Sequence, residues 1–307
     1  MIANRLQKLL FISWLASAAA VAIAQPAEKA QATPPSELTV DDSFDPPIAR
    51  PAFRAGKGPV VVVDQKHRNV VSLESYFRPV GRFLGKDGYS VRPGGDVFTA
   101  EGLASARILV IANAQAPEGA AEGASAFSEP EVRAVEAWVR AGGGLLLIAD
   151  RAPFGAPARP FARAFGVALD DNTILRKGAD GKPDGVLTID VAADGDKSHP
   201  VFAGVSRVVY VVGESLDGPG PVLRAPKGTY SGPTNQATDG PSAAGRPIVL
   251  AFSHGKGRVV VIGDAGIASA FGSVAGATHR GISEADNALF VRNVFRWLAR
   301  QDTGVRE

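Results

Sequence analysis

The sequence predicts an α/β fold built on a mainly parallel β-sheet with helices on both faces. Three continuous apolar runs, at residues 59–64, 107–112 and 145–149, are rich in Val, Ile and Leu, as is typical of strands that are buried on both faces. Segments with helical spacing of apolar residues, at 73–84 and 128–141, alternate with these runs. This order of elements predicts parallel strands joined by right-handed crossovers.

Local signals support the elements between these strands. Helical spacing of apolar residues over 73–84 predicts the first helix, and 88–92 is typical of a short strand. Ser128 and Glu131 form a capping-box pattern that predicts the start of the second helix, with Ser128 as its N-cap. Three glycines at 142–144 predict the end of that helix.

The second half of the chain is less regular. Residues 167–245 are rich in Gly, Pro and Asp and contain a few short strand patterns, which predicts a β-rich elaboration of the same domain. Two apolar runs at 247–252 and 258–262 flank a tight turn at 254–257, which predicts an antiparallel hairpin at a sheet edge. An amphipathic pattern over 284–300 predicts a last helix.

The first 24 residues have the pattern of a cleaved signal peptide. Arg5 and Lys8 precede an apolar run of about 15 residues, which is shorter than the roughly 20 that a spanning helix needs. Ala22, Ile23 and Ala24 fit the small-x-small cleavage pattern. We therefore expect a periplasmic or secreted mature chain if the host is a Gram-negative bacterium. The alternative is that this segment is retained as a membrane anchor.

The pattern then changes from linker to folded domain. Residues 25–56 contain six prolines and no apolar periodicity, so they are predicted to form a flexible linker. The folded domain is expected at 57–300, and 301–307 is expected to be a tail.

Composition excludes several classes of function. The 307 residues include 33 Lys and Arg against 31 Asp and Glu. The chain therefore lacks the large excess of basic residues that is typical of nucleic-acid-binding proteins. The chain has no Cys, which excludes disulfides, a thiolate nucleophile and thiolate metal sites. The motifs G-x-S-x-G, Walker A and H-E-x-x-H do not occur. No metal site and no cofactor is assigned from the sequence.

Polar side chains collect where the predicted strands end. Because ligands of open parallel sheets bind at the carboxyl ends of the strands, these residues predict a binding cleft at one rim of the sheet. Each has a simpler explanation as a turn former, a helix cap or a solvated loop residue. The candidate ligand-binding residues are Asp64, His67, Asn69, Asn113, Asp150, Arg151 and Asp264.

Several stretches resemble a known family. They are VVDQKHRN at 62–69, LVIAN at 109–113, LIADRAPFG at 147–155, HGKGRVVVIGD at 254–264 and NVFRWL at 293–298. Together they resemble exported bacterial domains of unknown function in the class I glutamine amidotransferase-like superfamily. Relatives include auxiliary components of gliding-type ABC transporters. The resemblance implies a flavodoxin-like three-layer sandwich.

The sequence departs from the superfamily at its reactive centre. Amidotransferases place a nucleophilic Cys after a strand, whereas residues 145–149 lead into Asp150 and Arg151. Glutaminase chemistry of the Cys-His-Glu type is therefore excluded. The family often has His where this chain has Arg151.

Two functions remain open at this point. The first is an exported, non-catalytic domain that binds a small ligand or a protein partner at the strand ends, in a transport-associated role. The alternative is a periplasmic hydrolase in which Asp64, His67 and Asp150 activate a water, with or without a divalent metal.

Overall fold

A computed structural model describes residues 38–272 and 281–300. The predicted signal peptide, the linker residues 25–37 and the tail at 301–307 lie outside the described residues. Within the described part, no helix combines the length and the apolar character needed to cross a membrane.

The centre of the fold is a seven-stranded sheet in the order β2-β1-β3-β4-β7-β6-β5. Its strands are β1 (Val60–Asp64), β2 (Ser90–Gly94), β3 (Ile108–Ala112), β4 (Gly144–Ile148), β5 (Pro221–Arg224), β6 (Pro247–His254) and β7 (Gly257–Ile262). The neighbouring strands β2, β1, β3, β4 and β7 pair in parallel. The strand β6 is antiparallel to both of its neighbours, β7 and β5. The five strands β2-β1-β3-β4-β7 follow the flavodoxin-like order. The predicted flavodoxin-like α/β class is therefore confirmed.

Helices cover both faces of this sheet. They are α1 (Arg78–Lys86), α2 (Ala100–Leu103), α3 (Glu129–Ala141), α4 (Arg159–Arg163), α5 (Val191–Asp194) and α6 (Asn287–Leu298), with short 3₁₀ turns at Ala156–Ala158, Pro200–Phe202 and Gly266–Ala268. Side chains alternate along β1, so Val61 and Val63 pack with α1 and α6, whereas Val62 packs on the side of α3 and α4. Two apolar cores therefore enclose the sheet.

The predicted β-rich elaboration is present as small antiparallel sheets. Val186–Asp190 pairs with Arg207–Val211, Ala168–Leu169 pairs with Leu216–Asp217, and Thr173–Lys177 pairs with both Thr229–Gly232 and Pro183–Asp184. These strands place the segment around residue 214 beside the carboxyl end of β7. There the backbone N–H of Glu214 donates to the Gly263 carbonyl over 2.8 Å.

Two predicted elements differ from the structure. The first helix begins at Arg78 instead of residue 73, because Ser72 and Ser75 hold the preceding residues in turns. The hairpin of β6 and β7 is not at the sheet edge, because β7 pairs with β4 and β6 pairs with β5. The strand β5, which lies in an irregular stretch, forms that edge.

Residues 38–56 are not a flexible linker. Thr39–Val40 pairs with Phe271–Gly272, and Phe44, which is only 7% exposed, packs against Phe83 at 5.6 Å between ring centroids. Phe53 packs edge-to-face on Tyr89 at 5.1 Å. Two isolated aromatic side chains anchor this segment, and such anchors produce no periodicity in a sequence.

A buried ion pair fastens the same segment to α6. Asp87 is fully buried, and its carboxylate accepts hydrogen bonds from Arg296 Nε at 2.9 Å and Nη2 at 2.5 Å. The Ala52 N–H donates to the same carboxylate over 2.9 Å, and Arg296 also donates to the Arg50 carbonyl over 2.8 Å. One carboxylate therefore joins α1, α6 and the segment before β1.

We predict that Arg296→Met lowers the free energy of unfolding by about 3 kcal/mol, because it leaves the buried Asp87 carboxylate without its counter-charge. Urea denaturation measures this loss. The matched control is Arg133→Met, which removes an ion pair with Glu129 whose side chains are 67% and 91% exposed. That change should cost less than about 1 kcal/mol, and equal losses in the two variants would contradict the prediction.

Candidate functional site

The candidate site lies where β1 and β3 end, at the switch point of the sheet. The chain leaving β1 enters α1 on one face, and the chain leaving β3 leads to α3 on the other face. The loops that follow the two strands therefore diverge and leave a crevice between them. Asp64 is the last residue of β1, and Asn113 directly follows β3.

The crevice contains a buried histidine held between two carboxylates. His67 Nδ1 contacts both carboxylate oxygens of Asp64 at 3.0 and 2.9 Å. Its Nε2 contacts Glu131 Oε1 at 3.0 Å. The residues Asp64, His67 and Glu131 are 0%, 7% and 7% exposed, so very little of these side chains is open to water. We refer to these three residues as the histidine triad.

Aromatic rings and a helix terminus fix the position of this triad. The His67 ring lies between Phe98, at 4.9 Å, and Phe127, at 4.5 Å between centroids. Glu131 also accepts hydrogen bonds from the Phe98 N–H at 3.2 Å, from the Ser128 N–H at 3.0 Å and from Ser128 Oγ at 2.7 Å. The predicted capping glutamate is thus also the second partner of His67, a role that its local motif does not reveal.

The electrostatics favour the protonated form of His67 and the ionised form of Glu131. Burial alone would lower the pKa of His67, but the hydrogen bonds and negative charges of Asp64 and Glu131 outweigh it and raise that pKa above 6.5. Burial would raise the pKa of Glu131, but hydrogen bonds from Ser128 and Phe98 and the charge of His67 lower it. His67 therefore keeps its proton to a higher pH than a free histidine.

A pocket of about 560 Å³ opens beside the triad. Its apolar wall includes Phe127, and the exposed Lys66 and Arg68 lie among its polar lining. The lining residues are Lys66, His67, Arg68, Val97, Gln115, Pro117, Glu118, Ser125, Ala126, Phe127, Ser128 and Glu131. We refer to this volume as the switch-point pocket.

The two predicted asparagines connect loops of the rim. Asn113 has a left-handed backbone, with φ at 47°, and its Oδ1 accepts the Asp150 N–H over 3.0 Å. Its carbonyl accepts the Val70 N–H over 3.1 Å. Asn69 Nδ2 donates to the Ala112 carbonyl over 3.3 Å. In this arrangement both residues hold the loops after β1, β3 and β4 together.

Asp150 and Asp264 lie at the ends of β4 and β7 and form a second group. Asp264 is fully buried and accepts N–H groups from Val211, Gly266 and Ile267 at 2.8, 2.6 and 3.2 Å. Burial raises the pKa of Asp264 well above its ordinary value, and the charge of Asp150 raises it further. Burial likewise raises the pKa of Asp150 to about 7. The two carboxyl groups therefore resist carrying two full charges together.

Glu214 belongs to this acidic group, although no sequence motif marks it. It is fully buried, and its pKa is raised to about 9, first by burial and then by the charges of Asp171, Asp150 and Asp170.

The side chain of Arg151 donates to the Ala152 carbonyl over 3.3 Å. Across residues 38–272 and 281–300, no set of three or more His, Asp or Glu side chains is grouped to hold a metal ion.

The seven candidate residues therefore occupy one rim but form two groups. Asp64 and His67 belong to the histidine triad, whereas Asp150, Arg151 and Asp264 lie around the exits of β4 and β7. The asparagines hold loops of this rim in place.

Comparison with known proteins supports the fold. No family model and no curated protein matches the chain. Among solved structures, the mmIFT52 N-terminal domain is similar with a TM-score of 0.59 and 15% identity, covering 79% of this chain and 98% of that one. ThuA-like proteins from Bacteroides uniformis ATCC 8492 and Parabacteroides merdae ATCC 43184 have TM-scores of 0.44 and 0.42. They are 15% and 16% identical, covering 83% and 78% of this chain and 94% and 89% of theirs. At these identities, the first similarity shows a shared fold.

We predict that Glu131→Gln lowers the pKa of His67, because it removes one of the two charges that stabilise the imidazolium. Titration of the histidine ring protons by NMR measures this pKa. His199 provides a control in the same spectrum, since burial lowers its pKa independently of the triad. A His67 pKa that is unchanged by the substitution would contradict the arrangement.

The raised pKa also predicts a pH-dependent stability. Because the folded-state pKa lies above the unfolded value, the stabilisation from protonated His67 is complete below about pH 6.5 and is lost as the pH rises through the folded pKa. Denaturation of the wild type and of His67→Gln at several pH values should therefore show a difference that shrinks as the pH rises. A difference that grows with pH would refute this assignment.

Proposed function

We propose that this protein is a non-catalytic binding domain whose small-molecule ligand occupies the switch-point pocket. The observation that carries the proposal is the state of His67, whose two ring nitrogens are both hydrogen-bonded to carboxylates at the edge of this pocket. The triad therefore supplies a fixed wall in which His67 is not a free base. A preformed pocket at a switch point is the usual ligand site of such sheets.

The hydrolase alternative lacks support from this geometry. A general base needs a free ring nitrogen within reach of a water or a substrate proton. In His67 both nitrogens are engaged, and its pKa is raised by the same partners. Asp150 does not assist this histidine, because its hydrogen bonds are with Asn113, Arg151 and Ala265.

The lining of the pocket indicates the kind of ligand it would accept. Phe127 and Val97 offer apolar surface, and Gln115 offers an amide between them and the polar rim. Lys66 and Arg68 supply two positive charges to the lining, and the exposed carboxylate of Glu118 supplies one negative charge. We therefore propose a small organic molecule with an apolar part and at least one hydrogen-bond acceptor.

We predict that Val97→Trp weakens ligand binding by occupying part of the pocket. Val97 is 50% exposed and lines the pocket, so a larger side chain there occupies the cavity without burying a polar group. The measurement is a ligand-observed NMR screen of a small-molecule library, followed by Kd values for each hit. Binding in the variant should be at least roughly ten-fold weaker, a loss of about 1.4 kcal/mol.

Val70→Trp provides the matched control. Val70 is also an exposed valine, at 38%, but it is not part of the pocket lining. Hits should bind to this variant as they bind to the wild type. A library without hits, or hits that bind equally to both tryptophan variants, would contradict the proposal.

We further propose that the protein is exported, on the strength of the charge, apolar and cleavage pattern at residues 1–24. The resemblance to exported domains of the class I glutamine amidotransferase-like superfamily supports the same localisation. Its relatives among auxiliary components of gliding-type ABC transporters support a transport-associated role with a membrane protein partner.

Export predicts a mature chain that begins at Gln25. Mass spectrometry of the protein recovered from the periplasm or the medium of a Gram-negative expression host identifies this N-terminus. Replacing Ala24 by Arg should block cleavage, because the site accepts small residues. Recovery of the uncleaved wild-type chain in the cytoplasm would oppose the proposed localisation.

A further inference from the structure

Three oxygen atoms converge on the open side of Gly155, just after β4. A methyl group placed on this glycine would lie 2.9 Å from Glu214 Oε1, 3.1 Å from the Asp150 carbonyl oxygen and 3.4 Å from Asp171 Oδ1. The backbone does not require glycine here, because Gly155 has an ordinary helical φ of −73°. What glycine provides is space among these oxygens.

Two of the three oxygens are buried without a hydrogen-bond donor in the described part of the chain. Glu214 Oε1 and Asp171 Oδ1 are both in this condition, and Glu214 as a whole is fully buried. The other carboxylate oxygens of these residues are occupied, since Glu214 accepts the Asp171 N–H and Asp171 Oδ2 pairs with Arg159 at 2.9 Å. A buried carboxyl oxygen without a donor is costly to ionise, in keeping with the raised pKa of Glu214, and a bound cation would replace its proton and compensate the charge.

The surrounding side chains are predominantly acidic. The charges of Asp171, Asp150 and Asp170 raise the pKa of Glu214. The charge of Asp150 also raises the pKa of Asp264. The guanidinium of Arg159 binds the opposite oxygen of Asp171, and that of Arg246 binds Asp170. Neither guanidinium is hydrogen-bonded to Glu214 Oε1, the innermost of the converging oxygens.

We propose that a divalent cation of the calcium type binds beside Gly155, with Glu214 Oε1, Asp171 Oδ1 and the Asp150 carbonyl oxygen as its protein ligands. Calcium accepts carboxylate and backbone carbonyl oxygens in flexible geometry, whereas magnesium requires a near-ideal octahedron and usually keeps several waters. The Asp171 side chain is 28% exposed, so solvent can complete the coordination shell. With two carboxylates and one carbonyl, the site differs from a cluster of three acidic side chains.

This site is separate from the switch-point pocket, since it shares no residue with the pocket lining. It also does not use His67. The cation would neutralise buried carboxylates and fasten the loop after β4 to the segment that contains Glu214.

Calcium should stabilise the purified protein. A site with few protein ligands is expected to bind with a Kd of roughly 10⁻⁴ to 10⁻³ M. In thermal unfolding, 10 mM CaCl₂ should then raise the Tm by roughly 2 to 5 °C relative to NaCl of equal ionic strength. MgCl₂ should raise it less, and isothermal titration calorimetry should give one Ca²⁺ per chain. A magnesium shift as large as the calcium shift would contradict the assignment to calcium.

Two variants test the location of the cation. Glu214→Gln keeps the size and shape of the side chain and removes only its ability to carry a charge, so the variant should fold. Gly155→Ala places a methyl group among the three oxygens at a compatible φ. Both variants should lose the calcium shift, with a Kd weakened at least roughly ten-fold.

Matched controls separate this effect from general changes in charge or volume. Glu101→Gln removes an exposed carboxylate, and Gly85→Ala adds a methyl group that meets no atom within 4 Å. Both controls should respond to calcium as the wild type does. The proposal is overturned if the wild type shows no calcium shift, or if Glu214→Gln and Gly155→Ala respond like their controls.

Discussion

The need to compensate buried carboxylates dominates the rim of this sheet. The strand order brings the exits of β1, β3, β4 and β7 to one edge, and the aspartates that end or follow β1 and β7 are fully buried there. A carboxylate without water must be paired, hydrogen-bonded or protonated. Asp64 is paired with His67, and Asp264 accepts three backbone N–H groups. Glu214 has a single backbone donor, and this difference separates the two halves of the rim.

Compensation also explains why the two groups suit different partners. In the histidine triad, one imidazolium stands between two carboxylates, so the wall of the pocket is internally balanced to within one charge. A ligand there is selected by shape and hydrogen bonding more than by charge. Around Gly155 the guanidinium of Arg159 compensates one oxygen of Asp171, but within the described residues no donor reaches Glu214 Oε1 or Asp171 Oδ1.

Much of the fold could be predicted from sequence because it depends on local patterns. Continuous Val, Ile and Leu runs identify buried parallel strands, and the capping box marks the start of α3 at its observed position. The candidate residues were found because they follow strands. The partnership of His67 with Glu131 spans 64 positions, and the packing of Phe44 on Phe83 spans 39, so no local pattern encodes either contact. Glu214 lies in an irregular stretch whose position depends on its pairing with other segments.

The asparagine after β3 shows how the two halves can share one rim and still act separately. Asn113 adopts a left-handed φ of 47°, and its side chain holds the Asp150 N–H while its carbonyl holds the Val70 N–H. It thus fixes the loops on either side, and its side chain also hydrogen-bonds to the Asp150 carboxyl. Because the switch-point pocket and the three oxygens beside Gly155 share no residue, neither a ligand beside His67 nor a cation beside Gly155 needs the other in order to bind.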